Sequence, residues 1–149
     1  MSTDQAAGWA HRLPPTPTAV HDSWAWTIAR PAELTAARNE LRRSLASGTL
    51  PSGADEDDVD RLLLAFEELA SNGLRHSGAP VHVRVDGCDG GWLVDVSDAL
   101  PDHPPVPAVD RDPALGGLGL HLIARLSTAF GWAADGPRKH VWAALVPAG

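Results

Sequence analysis

Residues 55–76 constrain the fold more than any other stretch of this chain. Val59, Leu62, Leu63, Phe66, Leu69, Ala70 and Gly73 recur at helical spacing and form one apolar stripe. Acidic residues fill the first turn, where they complement the helix dipole. Ser77 and Gly78 end the stretch, with glycine available for a left-handed cap. A long helix with one apolar face must bury that face against a second layer. What that layer is follows from the segments on either side.

Residues 24–29, WAWTIA, alternate and predict a strand. Residues 31–47 predict a helix, with Pro31 in its first turn and Leu34, Ala37, Leu41 and Leu45 on one face. After the long helix, VHVRV at 81–85 turns Val81, Val83 and Val85 to one side. WLVDVSD at 92–98 is its hairpin partner across Asp89, Gly90 and Gly91. Residues 99–115 hold Pro101, Pro104, Pro105, Pro107 and Pro113, which exclude a helix or a central strand. A loop of that length in a compact domain is usually a lid or a binding segment. Gly116 to Leu120 then lead into a helix, HLIARLSTAF, which Gly131 closes. A turn at Gly136 and Pro137 precedes a last strand, KHVWAALV. Helices and antiparallel strands without β-α-β alternation predict an α+β fold. The expected architecture is a two-layer sandwich, a mixed but mostly antiparallel sheet with helices on one face. Residues 1–22, with Pro14, Pro15 and Pro17 and no periodicity, read as a flexible tail before one domain at 23–149.

Composition narrows the function. A net charge of −7 disfavours nucleic acid as a general partner. No apolar run approaches the roughly 18 residues of a membrane span. The first residues lack a basic end followed by an apolar stretch, so a cytoplasmic location is expected. The single cysteine, Cys88, fits that expectation because it cannot form an internal disulfide. His11, His21, His82, His103 and His121 show no metal-ligand spacing. Asp55, Glu56, Asp57, Asp58 and Asp60 read either as a solvated helix start or as an acidic patch for a basic partner. Trp24, Trp26, Trp92, Trp132 and Trp142 lie on or beside expected strands and fill either the core or a subunit interface.

Three features carry chemistry, and each has a plainer reading. Glu68, Asn72 and His76 fall within about 80° of one another on the helix, away from Phe66. A carboxylate can act as a general base, and an asparagine oxygen is a hard ligand suited to magnesium. The same three residues would also serve as a solvated outer face. Glycines at 116–119 before a helix let the backbone approach a phosphate, or simply make a turn. Asp98, at a strand end, can accept a hydrogen bond from an adenine amino group, or close an Asx turn.

Taken in order, these features resemble the GHKL ATPase superfamily of gyrase, the heat-shock chaperone ATPase, histidine kinases and MutL. Within it, FEELASNGLRHSG, VDVSD and GGLGLHLIARL are most similar to RsbW-type anti-sigma-factor serine kinases, and KHVWAAL to the last strand of stand-alone actinobacterial members. The resemblance spans roughly residues 24–146. It implies that Glu68 is the general base, that Asn72 holds Mg2+, and that Asp98 contacts the adenine of ATP. It places Gly117, Leu118, Gly119 and Leu120 at the phosphates, makes 99–115 the ATP lid, and has His76 close the first motif. It further implies phosphorylation of a serine on an anti-anti-sigma (STAS-type) partner, sequestration of a sigma factor, and a homodimer formed through WAWTIA. Two positions depart from the pattern. The family often has D-x-G-x-G where this chain has Asp98, Ala99, Leu100 and Pro101, and a threonine where this chain has His140. Both changes touch base recognition. A non-catalytic module that only binds a partner is therefore the alternative. A histidine kinase fragment is a weaker rival, because no helical hairpin bearing a phospho-acceptor histidine precedes the domain.

Overall fold

The computed structural model of the protein describes residues 11–78, 80–101 and 118–147, with 118–121 as backbone alone. The described elements are β1 (Val20–Ile28), α1 (Pro31–Ser47), α2 (Glu56–Ser77), β2 (Val81–Cys88), β3 (Gly91–Asp98), α3 (Leu118–Leu126), β4 (Ala129–Asp135) and β5 (Arg138–Leu145). The strands make one sheet in the order β1-β2-β3-β5-β4, and each neighbouring pair is antiparallel. The α+β sandwich expected from the sequence is thus the fold observed.

α2 forms where its sequence directs. Asp55 caps it by accepting the amide of Asp58 at 3.0 Å, and Asp58 accepts the amide of Asp55 at 2.9 Å. Gly78 ends it in the left-handed region with φ 64°. Between these caps Leu62, Leu63, Phe66, Leu69 and Ala70 are at most 1% exposed. Each buried Leu or Phe contributes about 1.5–3 kcal/mol relative to an exposed one. They meet Val81, Val83, Val85, Val94 and Val96 of the sheet in one cluster. Trp26 of β1 stacks edge-on to Phe66 at 5.2 Å and donates to Glu40 of α1 at 3.1 Å, which ties β1 to both helices. Glu33 accepts the amides of Ala29 and Arg30, so α1 starts within two residues of the end of β1.

Two boundaries differ from the sequence reading. β1 begins at Val20, inside the segment read as a tail, because it pairs with β2 as far as Cys88. Upstream of it, the amide of Arg12 donates to Trp132 at 2.7 Å, and His11 forms a parallel bridge to the same residue. The second difference concerns the helix expected over 121–130. α3 occupies Leu118–Leu126, and Ala129, Phe130 and Gly131 belong to β4. Ser127 donates through its hydroxyl to Ile123 at 2.6 Å and closes the helix, and the amide of Thr128 turns instead to Ala144 of β5. Pairing with β5 decides what local propensity leaves open.

The sheet has two unlike faces. Residues 81, 83, 85, 94, 96, 141, 143 and 145 turn to the helices. Trp142 is only 1% exposed yet lies on the other face, under the N-terminal segment. It donates to the carbonyl of Arg12 at 2.9 Å, and the Arg12 guanidinium sits 5.2 Å above its ring.

Candidate functional site

Gly73 brings α2 onto the sheet. A Cβ there would stand 3.1 Å from Val81 Cγ1 and 3.2 Å from Val96 Cγ1, so only a residue without a side chain lets the backbone come this near. Asn72 is therefore held beside the end of β3. Asp98 lies two residues beyond Val96 on the same side of that strand. The close contact at Gly73 is what brings the two sequence-predicted residues to one end of the molecule.

Glu68, Asn72 and His76 have unlike surroundings. Glu68 is half-buried, and its carboxylate has no partner among the described residues. Asn72 is 6% exposed. Its Oδ1 is buried without a hydrogen bond. His76 is exposed. A merely solvated outer face would leave Asn72 in water, and it does not. Burying an unsatisfied acceptor costs about 1–3 kcal/mol, so Asn72 is poorly placed for stability alone. Its oxygen has the chemistry to ligate a hard cation. Among the described residues no three His, Cys, Asp or Glu side chains form a cation cage. A magnesium ion held here would draw its remaining ligands from waters and phosphates, as that ion commonly does.

Asp98 is 3% exposed, and each of its oxygens has a partner within the protein. Oδ1 accepts the amide of Leu100 at 2.8 Å, the Asx turn that the sequence left open. Oδ2 lies 3.4 Å from Nζ of Lys139, itself 4% exposed. Lys139 is thus a buried residue facing Asp98, not a solvated surface cation. His140, which the resemblance placed at the base, is on the opposite face. Its Cα pairs with Ser97, and its ring bonds Asp95 at 3.0 Å. That contact holds the imidazole pKa above its ordinary value, against a smaller opposing effect of burial. Strand parity carried the signal for this. Val141 and Ala143 turn to the core, so Lys139 must as well, and His140 must not.

Of the glycine motif, Gly117 lies outside the described residues, as does most of the expected lid. Leu118, Gly119 and Leu120 are the first residues of α3, whose opening amides have no partner within the helix. Such amides bind anions well.

The sheet's open face was not legible as a unit. Thr27, His82, Arg84, Asp95, Ser97 and His140 line a shallow depression of about 360 Å³ on it. Thr27 bonds His82 at 3.1 Å, and Arg138 donates to the Ser97 hydroxyl at 3.1 Å and its carbonyl at 2.8 Å. Arg84 pairs with Asp86 at 3.1 Å and His140 with Asp95 at 3.0 Å.

An antiparallel five-stranded sheet covered by helices on one face, with a buried asparagine on the central helix, defines a histidine kinase-like ATPase fold. The model of the histidine kinase-like ATPase domain family matches residues 28–145, and the chain belongs to that family. No curated protein matches the sequence. Among solved structures, the chain is similar to the RsbU and RsbW domains of Rv1364c from Mycobacterium tuberculosis. The two superpose with a TM-score of 0.59 at 19% identity over 85% of this chain. The chain spans 32% of the length of that structure, and the likeness is one of fold. No described helix is long and apolar enough to cross a membrane.

Proposed function

We propose that this chain binds Mg-ATP between α2 and the end of β3 and transfers its terminal phosphoryl group to a serine of a regulatory partner. The observation that carries this reading is the buried, unpartnered Oδ1 of Asn72. Asn72 would hold the magnesium ion, which when bound neutralises phosphate charge. Gly117, Leu118, Gly119 and Leu120 would direct backbone amides at the phosphates. Asp98 would accept from the base. Glu68 would take the hydroxyl proton of the attacking serine as its oxygen bonds to phosphorus and ADP departs. Family membership supports nucleotide binding. The sequence resemblance to RsbW-type kinases supports an anti-anti-sigma (STAS-type) protein as acceptor and a sigma factor as the sequestered partner. β1, at one edge of the sheet, offers its open side to a second copy.

The test uses proteins captured on this chain from a cell extract and then incubated with labelled Mg-ATP. Wild type should label a captured protein on serine, and a Glu68→Gln chain should not. Equal labelling by the two would remove Glu68 from catalysis. A second reading keeps the fold as a binding module that transfers nothing. The engagement of both Asp98 oxygens within the protein favours it. The module would bind Mg-ATP weakly or not at all, and calorimetry that finds no measurable binding would leave only that reading.

A further inference from the structure

We propose that Lys139, paired with Asp98, reads the Watson–Crick edge of adenine directly. The inference rests on the nucleotide reading above and adds a specificity residue to it. Lys139 and Asp98 stand opposite each other in the β3–β5 register. They face the helix side of the sheet, with Nζ 3.4 Å from Oδ2. Stability does not ask for this pair. Apolar side chains at two such positions commonly hold a core as well or better, because both charges must leave water. The amide of Leu100 fixes the carboxylate through Oδ1, so Oδ2 is presented in a set direction.

The pair sets an acceptor and a donor side by side. A carboxylate has about four lone-pair sites and an ammonium has three N–H groups, so each can serve the other and a ligand together. Adenine presents a matching edge, with the N6 amino group as donor and N1 as acceptor. Guanine presents a carbonyl oxygen and a donating N1–H in the same two places, which reverses the pattern. His140, on the other face of the sheet, reaches neither atom.

The test is calorimetry on the full chain with Mg-ATP and with Mg-1-deaza-ATP, whose N1 is replaced by CH. Wild type should bind ATP about tenfold or more tightly than the analogue, the loss expected for one hydrogen bond to a charged group. In Lys139→Met that preference should vanish through weaker ATP binding, and Lys139→Arg should restore part of it. Lys139→Met leaves Asp98 without its counter-charge, so a thermal melt must first show that it folds. The wild-type comparison needs no substitution and stands by itself. Equal binding of ATP and the analogue by wild type would overturn the proposal. So would Lys139→Met binding ATP as tightly as wild type or more so, because the lysine would then merely fill the base's place. If folded wild type binds neither nucleotide, the nucleotide reading itself fails, a result distinct from binding without discrimination.

Discussion

Gly73 lies against Val96 so closely that one added methyl group would sit 3.2 Å from Val96 Cγ1. Val81 crowds the same spot at 3.1 Å, and both valines are buried with stiff χ1 angles. Neither can yield easily. Alanine gains about 1 kcal/mol in helix propensity over glycine, while overpacking costs about 1–3 kcal/mol. Gly73→Ala should therefore lower stability by about 1 kcal/mol in urea unfolding, and Gly73→Val by clearly more. An unchanged midpoint for the valine variant would mean that α2 can move away from the sheet.

Asn72 should show stability and function in opposition. Removing a buried acceptor that has no partner also removes its desolvation cost, about 1–3 kcal/mol. Asn72→Ala should unfold no more easily than wild type when no nucleotide is added. Mg-ATP should raise the melting temperature of wild type, and it should leave that of the variant in place. A variant stabilised by Mg-ATP as much as wild type would rule out Asn72 as the ligand.

The acidic stretch at the start of α2 divides by the contacts its members make. Asp55 caps the helix, while Asp58 is 3% exposed and also pairs with Arg61. Asp55→Ala should cost about 1 kcal/mol. Glu56, Asp57 and Asp60 are exposed, and their amides (Gln or Asn) should change stability by less than about 0.5 kcal/mol. Denaturant titrations of the four variants check the division.

His140 supplies a pH dependence of definite sign. Its bond to Asp95 raises the folded pKa above the unfolded value of about 6.5. The stabilisation is fully present below that unfolded value, and it is lost as pH rises through the raised folded one. Between pH 6 and 8.5, wild type should lose more stability than His140→Gln. Identical pH profiles for the two would show that the pair contributes nothing.

Helices α1 and α2 were legible because their signals are local. The stripe and both caps of α2 stand in consecutive residues, and the alternation of Val81, Val83 and Val85 names their buried side directly. β4 was not, because Ala129 and Phe130 suit either state, and their pairing with Ala144 and Ala143 comes from a distant strand. Within the candidate site, residue types and spacing singled out Asn72. Its burial depends on how close Gly73 lets the helix come, which no helical wheel shows. Lys139 was within reach of the sequence through strand parity. Aligning the family's threonine on His140 drew the reading to the wrong face.

The contact between Arg12 and β4 has a consequence for handling the protein. β4 is an edge strand, and unpaired edges recruit strands from other chains. The Arg12 amide occupies the carbonyl of Trp132, and its guanidinium reaches that of Phe130. The segment thus covers part of this edge, a guard of the kind that edge strands commonly carry. A chain trimmed back to the prolines, as one might for crystals, would lose that guard and bare Trp142 too. It should sediment as aggregates at concentrations where the longer chain stays dispersed.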